Sequence, residues 1–170
     1  MKKPRHLSSK KSNAWTDLRS EIAQLSEQLN IPKNEFSPVS LQAWHEIERK
    51  VWSEFSTRSN TLWIWESLKH PHAAMLIKYN DPAFSDLIDH EETVWFLLNE
   101  TDNERDKFWI YEGKVTAFDK LFGESCLIDE VIIVSRKLVW ILVLNHHDVL
   151  SGTGPMKSKI EQYPQLSSTI

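Results

Sequence analysis

Asn145-His146-His147-Asp148 leaves the most apolar stretch of the chain and runs into Val-Leu-Ser-Gly-Thr-Gly. Two imidazoles beside a carboxylate are the ingredients of acid/base chemistry, and imidazoles are common transition-metal ligands. On an extended chain successive side chains point to opposite faces, so His146 and His147 share one ion only if the chain turns there. A zinc site would need further ligands, for which His70, His72 and His90 are on offer, and no H-E-x-x-H spacing is present. The same residues have a structural use. Asn145 and Asp148 can bond backbone groups where a strand ladder ends, while Gly152 and Gly154 allow a positive φ in the turn that follows. The candidates are thus His146, His147 and Asp148 for catalysis, His146 and His147 for a metal, and Asn145 with all three for partner binding.

Glu112, in Trp109-Ile-Tyr-Glu-Gly113, joins the catalytic and partner-binding candidates. It ends a strand expected to be central, where a carboxylate needs a partner or water, and it also suits the N-terminus of a following helix. Other runs carry less. Ser151-Gly-Thr-Gly154 lacks the G-x-x-x-x-G-K-[ST] spacing of a phosphate loop, Leu68-Lys-His-Pro-His72 reads as a turn entering a strand, and Ile88-Asp-His-Glu-Glu92 as a solvated loop. G-x-S-x-G is absent, so no serine triad is assigned, and no cofactor is expected.

These residues must be positioned by an α+β fold. Trp15, Leu18, Ile22, Leu25 and Leu29 recur at helical spacing after Asn13 as N-cap, and Asn30-Ile-Pro32 ends the run. Ser37-Pro38 opens a second helix with Leu41, Trp44, Ile47, Val51 and Phe55 on one face. The two read as an α-hairpin. From about Trp63 the period shortens, giving strands at Ala73–Tyr79, Thr93–Asn99, Lys107–Tyr111, Glu130–Ser135 and Val139–Asn145. The last three are too densely apolar for in/out alternation, so they should be covered on both faces. Ser135–Leu138 reads as a hairpin turn, Asp81–His90 and Gly113–Gly123 as short helices, Asn99–Asp106 as a polar connector. The expectation is an N-terminal helical hairpin packed on a mainly antiparallel sheet of about five strands, with one or two further short helices. A basic flexible arm (1–12) precedes the single domain (13–154), and a surface tail (155–170) follows it.

The 170 residues suffice for one core, and eight tryptophans supply rigid aromatic contacts. The single cysteine, Cys126, excludes an internal disulfide framework, suits a reducing compartment and reads as a small buried hydrophobe. The basic N-terminus lacks the apolar core of a secretory signal, and no stretch approaches the roughly 18 apolar residues of a membrane helix. A soluble, cytoplasmic protein with no membrane partner is expected. Of 20 Lys and Arg, five fall in the first eleven residues, leaving fifteen against 24 acids, a body of −9. That sign disfavours nucleic acid and suits a basic protein partner.

Three stretches carry a resemblance: Val94-Trp-Phe-Leu-Leu-Asn-Glu100, Phe108-Trp-Ile-Tyr-Glu-Gly-Lys114, and Asp129 to Gly154 with its Ile-Val-Ser-x-Lys-x-x-Trp hairpin ahead of Asn-His-His-Asp. Together, over roughly Trp63 to Gly154, they resemble an uncharacterised family of small bacterial proteins. The resemblance implies a bacterial intracellular domain and brings no activity with it. In size, charge and class it is similar in style to the immunity proteins of bacterial toxin systems. The resulting expectation is a non-enzymatic, acidic, protein-binding domain, such as an immunity-like inhibitor of a basic toxin. The alternative is a metal-dependent or acid/base hydrolase centred on the Asn-His-His-Asp corner.

Overall fold

The computed structural model describes residues 14–59, 61, 63–77, 83–100 and 108–166, with side chains described between Leu18 and Tyr163. The basic arm, the Asn13 cap, the side chain of Trp15 and the connector 101–106 lie outside the described residues. In chain order the elements are α1 (Ala14–Gln28), β1 (Phe36–Pro38), α2 (Leu41–Phe55), β2 (His72–Leu76), β3 (Thr93–Asn99), β4 (Trp109–Lys114), α3 (Val115–Glu124), β5 (Glu130–Ser135), β6 (Ile141–Leu144), β7 (Val149–Thr153) and α4 (Pro155–Leu166). Short 3₁₀ turns span Ile64–Ser67 and Phe84–Asp86.

The seven strands form one antiparallel sheet in the order β1-β4-β3-β5-β6-β7-β2. Helices cover both faces. Val94, Phe96 and Leu98 of β3, with Val131 and Ile133 of β5, point into a core closed by α1, α3 and α4. Leu97, Ile132, Val134, Ile141 and Val143 point to the other face, against Ile47, Val51, Trp52 and Phe55 of α2. β5 is therefore buried along its whole length, as its unbroken apolar run anticipates.

The class is mixed α+β as expected, but several details differ. The described residues form seven strands rather than about five, because β1 and β7 were not anticipated. β1 lies between the first two helices, and these do not form a hairpin: Leu18 and Ile22 of α1 enter one core, Ile47, Val51 and Phe55 of α2 enter the other, Trp44 touches both, and Leu41 is exposed. Ser37 and Pro38 belong to β1, with Ser40 at the N-cap of α2. Proline is tolerated in β1 because that strand is an edge. The stretch after Gly154, read as a surface tail, carries α4, whose Met156 and Ile160 are buried. Gly152 is a strand residue rather than part of a turn. A Cβ on it would lie 2.9 Å from both Met156 Cβ and Ile160 Cδ1, so its bare backbone is what lets α4 approach. Gly154 does take the positive φ expected of it, at 61°. Among the described residues of the segment 81–90 only Phe84–Asp86 is helical, and Gly123 lies inside α3 rather than capping it. Cys126 is exposed, its N–H donating to Glu21.

Candidate functional site

The β6–β7 hairpin turn is built by its first residue. Buried Asn145 accepts hydrogen bonds on Oδ1 from the N–H groups of His147 and Val149, each at 3.0 Å. Its carbonyl accepts from Asp148 N–H at 3.0 Å, and Asp148 closes the turn at φ 58°. Asparagine and aspartate suit these roles, one as a side-chain surrogate for the ladder and the other as a residue that tolerates the left-handed region. The expected structural use of this corner is present at Asn145, whereas Asp148 takes part through its backbone, and the main chain is held on both sides. Asp148 also accepts Ile77 N–H at 2.8 Å on its carbonyl, while the residue itself is exposed.

The turn places His146 against a residue the sequence reading passed over. Glu130, the first residue of β5, is 1% exposed, and its Oε1 lies 2.6 Å from His146 Nδ1. Trp65 Nε1 donates to the same oxygen at 3.3 Å. Glu130 stands opposite Asn99 of β3 and one step beyond the Val131–Leu144 pair, so a row of buried polar residues, Asn99, Glu130 and Asn145, crosses the ends of the central strands. By strand alternation Glu130 faces the α2 side, where the 3₁₀ turn Ile64–Ser67 seats Ile64 in the core and brings Trp65 over it.

Burial pushes the Glu130 carboxyl above the ordinary carboxylate range; the hydrogen bond and charge of His146 oppose this, helped by the Trp65 N–H. The histidine side chain is 26% exposed. Around it the rings are close: His146 to Trp63 5.3 Å, to Trp65 6.0 Å and to His147 4.0 Å between centroids, with His147 5.9 Å from Trp65. The result is a partly exposed patch of four rings over a buried carboxylate. With Nδ1 turned to Glu130, the nitrogen left for other chemistry is Nε2.

The remaining candidates are not gathered here. Glu112 lies in β4 toward the other end of the sheet, 3.7 Å from Arg136 in the β5–β6 turn, and Lys114 rather than Glu112 holds the N-cap position of α3. His70 and His72 stack on each other at 4.5 Å beside Thr153, at the far end of β7 from the turn. His90 meets the Ser85 carbonyl at 3.0 Å. Among the described residues no group of three His, Cys, Asp or Glu is placed to hold a metal ion. Glu130, Trp63 and Trp65 are the site residues the sequence reading missed. An acid heading an otherwise apolar central strand, Glu-Val-Ile-Ile-Val-Ser, is the signal that was available.

Fold and site together define a mixed α+β protein with one antiparallel sheet and a carboxylate-held imidazole under two tryptophans. The model of a family of unknown function, DUF6756, matches residues 14–164, and the chain belongs to that family. The match extends on both sides of the stretch that carries the resemblance in sequence. No curated protein and no solved structure matches the chain. No helix among the described residues is long and apolar enough to cross a membrane.

Proposed function

We propose that the chain is a non-enzymatic protein-binding domain of bacterial, cytoplasmic type that engages a basic partner, as an immunity protein engages a basic toxin. The observation that carries this reading is the ring patch. Trp63, Trp65, His146 and His147 come from two segments far apart in sequence and are held together over one buried carboxylate. Aromatic residues fixed before contact give anchors that lose little side-chain entropy on binding. Ring faces and the −9 body both favour a cationic surface, and the charge accelerates encounter. The test is affinity capture from the native host with wild-type and Trp65→Ala bait, each checked for folding by circular dichroism. Wild type should recover one basic protein in stoichiometric amount, and the variant should bind it about 30-fold more weakly, as for an anchor worth roughly 2 kcal/mol. Equal capture by both baits, or no basic partner across several growth conditions, overturns the reading.

A second reading rests on a different observation. A buried carboxylate on Nδ1 orients His146 as carboxylates orient catalytic imidazoles, with Nε2 free to take a proton from water or a hydroxyl. This is the acid/base hydrolase reading with Glu130 in the supporting position. Turnover of any ester, amide or phosphoester substrate that is lost in His146→Ala but kept in His147→Ala would put it first.

A further inference from the structure

A concavity lies along α2, apart from the ring patch. It has a volume of about 310 Å³, and Glu48, Arg49, Trp52, Ser59, Thr61 and Phe108 line it, with His45 one turn up the helix. That volume is at the lower end for ligand pockets, which run from about 300 to 1,000 Å³, so a small molecule fits. Its floor is aromatic. Trp52 and Phe108 are both buried, with ring centroids 5.7 Å apart, and Trp52 is pinned by its Nε1–H donating to the Thr61 carbonyl at 3.0 Å.

The walls carry two opposite charges that do not satisfy each other. Glu46 and Lys50 of the same helix form an ion pair at 2.7 Å, yet among the described residues neither Glu48 nor Arg49 makes a side-chain hydrogen bond or an ion pair. Glu48 is half-buried, and desolvation pushes its carboxyl up, against the pull of the His45 charge. A carboxylate in that position gains most from a ligand ammonium. A simple cation, however, would face Arg49 and His45 in the same cavity, and a simple anion would face Glu48. A molecule bearing both charges meets neither objection. We infer that this cavity is a binding site for a small zwitterion with an apolar or aromatic body, the class of the large free α-amino acids. Glu48 takes the ammonium, Arg49 takes the carboxylate, and the body lies over Trp52 and Phe108.

The inference is independent of the ring patch. Isothermal titration calorimetry of the full chain with L-phenylalanine and L-tryptophan tests it, alongside N-acetyl-L-phenylalanine, which lacks the ammonium, and L-phenylalaninamide, which lacks the carboxylate. Saturable binding of at least one free amino acid is expected, with either analogue weaker by about tenfold or more, the worth of one charge-assisted contact. Glu48→Gln should erase the preference over the acetylated analogue and Arg49→Gln the preference over the amide. No saturable heat with either amino acid up to roughly 10 mM, a concentration beyond the weakest useful affinity, overturns the proposal. So does binding that both analogues match. The analogue comparison uses wild-type protein, so it stands even if a variant fails to fold.

Discussion

The two hairpin turns at opposite ends of β6 share one construction and differ in what lies beneath them. Each opens on a buried residue whose side chain stands in for the ladder: Ser135 Oγ accepts Lys137 N–H at 3.3 Å, and Asn145 Oδ1 accepts two N–H groups at 3.0 Å. In each the carbonyl of that residue accepts the N–H three residues on, and a non-glycine residue closes the turn in the left-handed region, Leu138 at φ 56° and Asp148 at φ 58°. The first turn carries Arg136, the second His146. Arg136 meets Glu112 at 3.7 Å with both side chains about half exposed, whereas His146 meets a Glu130 that water does not reach. A turn of one build thus carries a solvated ion pair at one end of the sheet and a partly exposed imidazole on a buried carboxylate at the other. Chemistry follows from the floor beneath a turn rather than from the turn.

The comparison is broken most severely by His146→Ala. Removing the imidazole leaves a buried carboxylate with the Trp65 N–H and the backbone N–H of residue 146 but no charged partner, a loss of about 3 kcal/mol when the group is ionised. The pH dependence has a defined sign. Glu130 is pushed above its ordinary range, so its contribution is most favourable in acid and is lost as pH rises through the folded value. His146 opposes that loss in the wild type. Denaturant melts should therefore show His146→Ala close to wild type near pH 4, where Glu130 is protonated, and furthest below it near pH 8. Adding Glu130→Gln should restore part of the loss at the higher pH. A deficit that is the same at both pH values would mean that the carboxylate is not what the imidazole compensates.

Much of the framework behind this contrast is legible in the sequence. The stripes of α1 and α2, the helix α3 and the apolar density of β5 and β6 each declare themselves within a dozen residues. The parts that are not legible depend on distant partners. Phe36-Ser-Pro38 is too short to show a period and becomes a strand only by pairing with Tyr111–Gly113 of β4. Val-Leu-Ser-Gly-Thr reads as a turn because Gly152 is there to admit α4, and α4 shows few large apolar residues, Met156 and Ile160 being the ones buried among its described side chains. Amphipathic periodicity says that a helix has an inner face, not which side of a sheet receives it, so α1 and α2 look like a hairpin although they pack on opposite sides. In the site, Asn145 declares its turn locally. Glu130 shows only as an acid heading an apolar strand, and after Asp129 it looks solvated until Trp65, sixty-five residues earlier in the chain, covers it.

A smaller and sharper test compares the two opening residues. Asn145→Ala leaves the N–H groups of His147 and Val149 without their acceptor in a partly buried setting, and should cost about 2 kcal/mol. Ser135→Ala removes one longer bond and should cost roughly 1 kcal/mol or less. Urea melts at one pH measure both. The Asn145 variant should also weaken partner capture, because His146 and His147 ride on the turn it holds, whereas the Ser135 variant should leave capture intact. Equal losses in stability would show that the second bond at Asn145 adds nothing.

The smallest effects belong to the solvated pair, and they separate two sources of attraction. Glu112 and Arg136 are exposed enough for water and salt to screen them, so Glu112→Gln should change stability by less than about 0.5 kcal/mol. Arg136 has another neighbour: its guanidinium carbon lies 5.8 Å from the centroid of the Trp95 ring, a contact that survives loss of the carboxylate. Such contacts at exposed sites are worth about 0.5 to 1 kcal/mol, so Arg136→Ala should cost more than Glu112→Gln, and the excess should remain in 1 M salt, where the Debye length is roughly 3 Å. If both variants instead lose the same amount and salt abolishes it, the ion pair alone holds Arg136, and the ring beneath it is only a surface. Either outcome keeps this turn apart from its counterpart, where the opposing charge is out of reach of the salt.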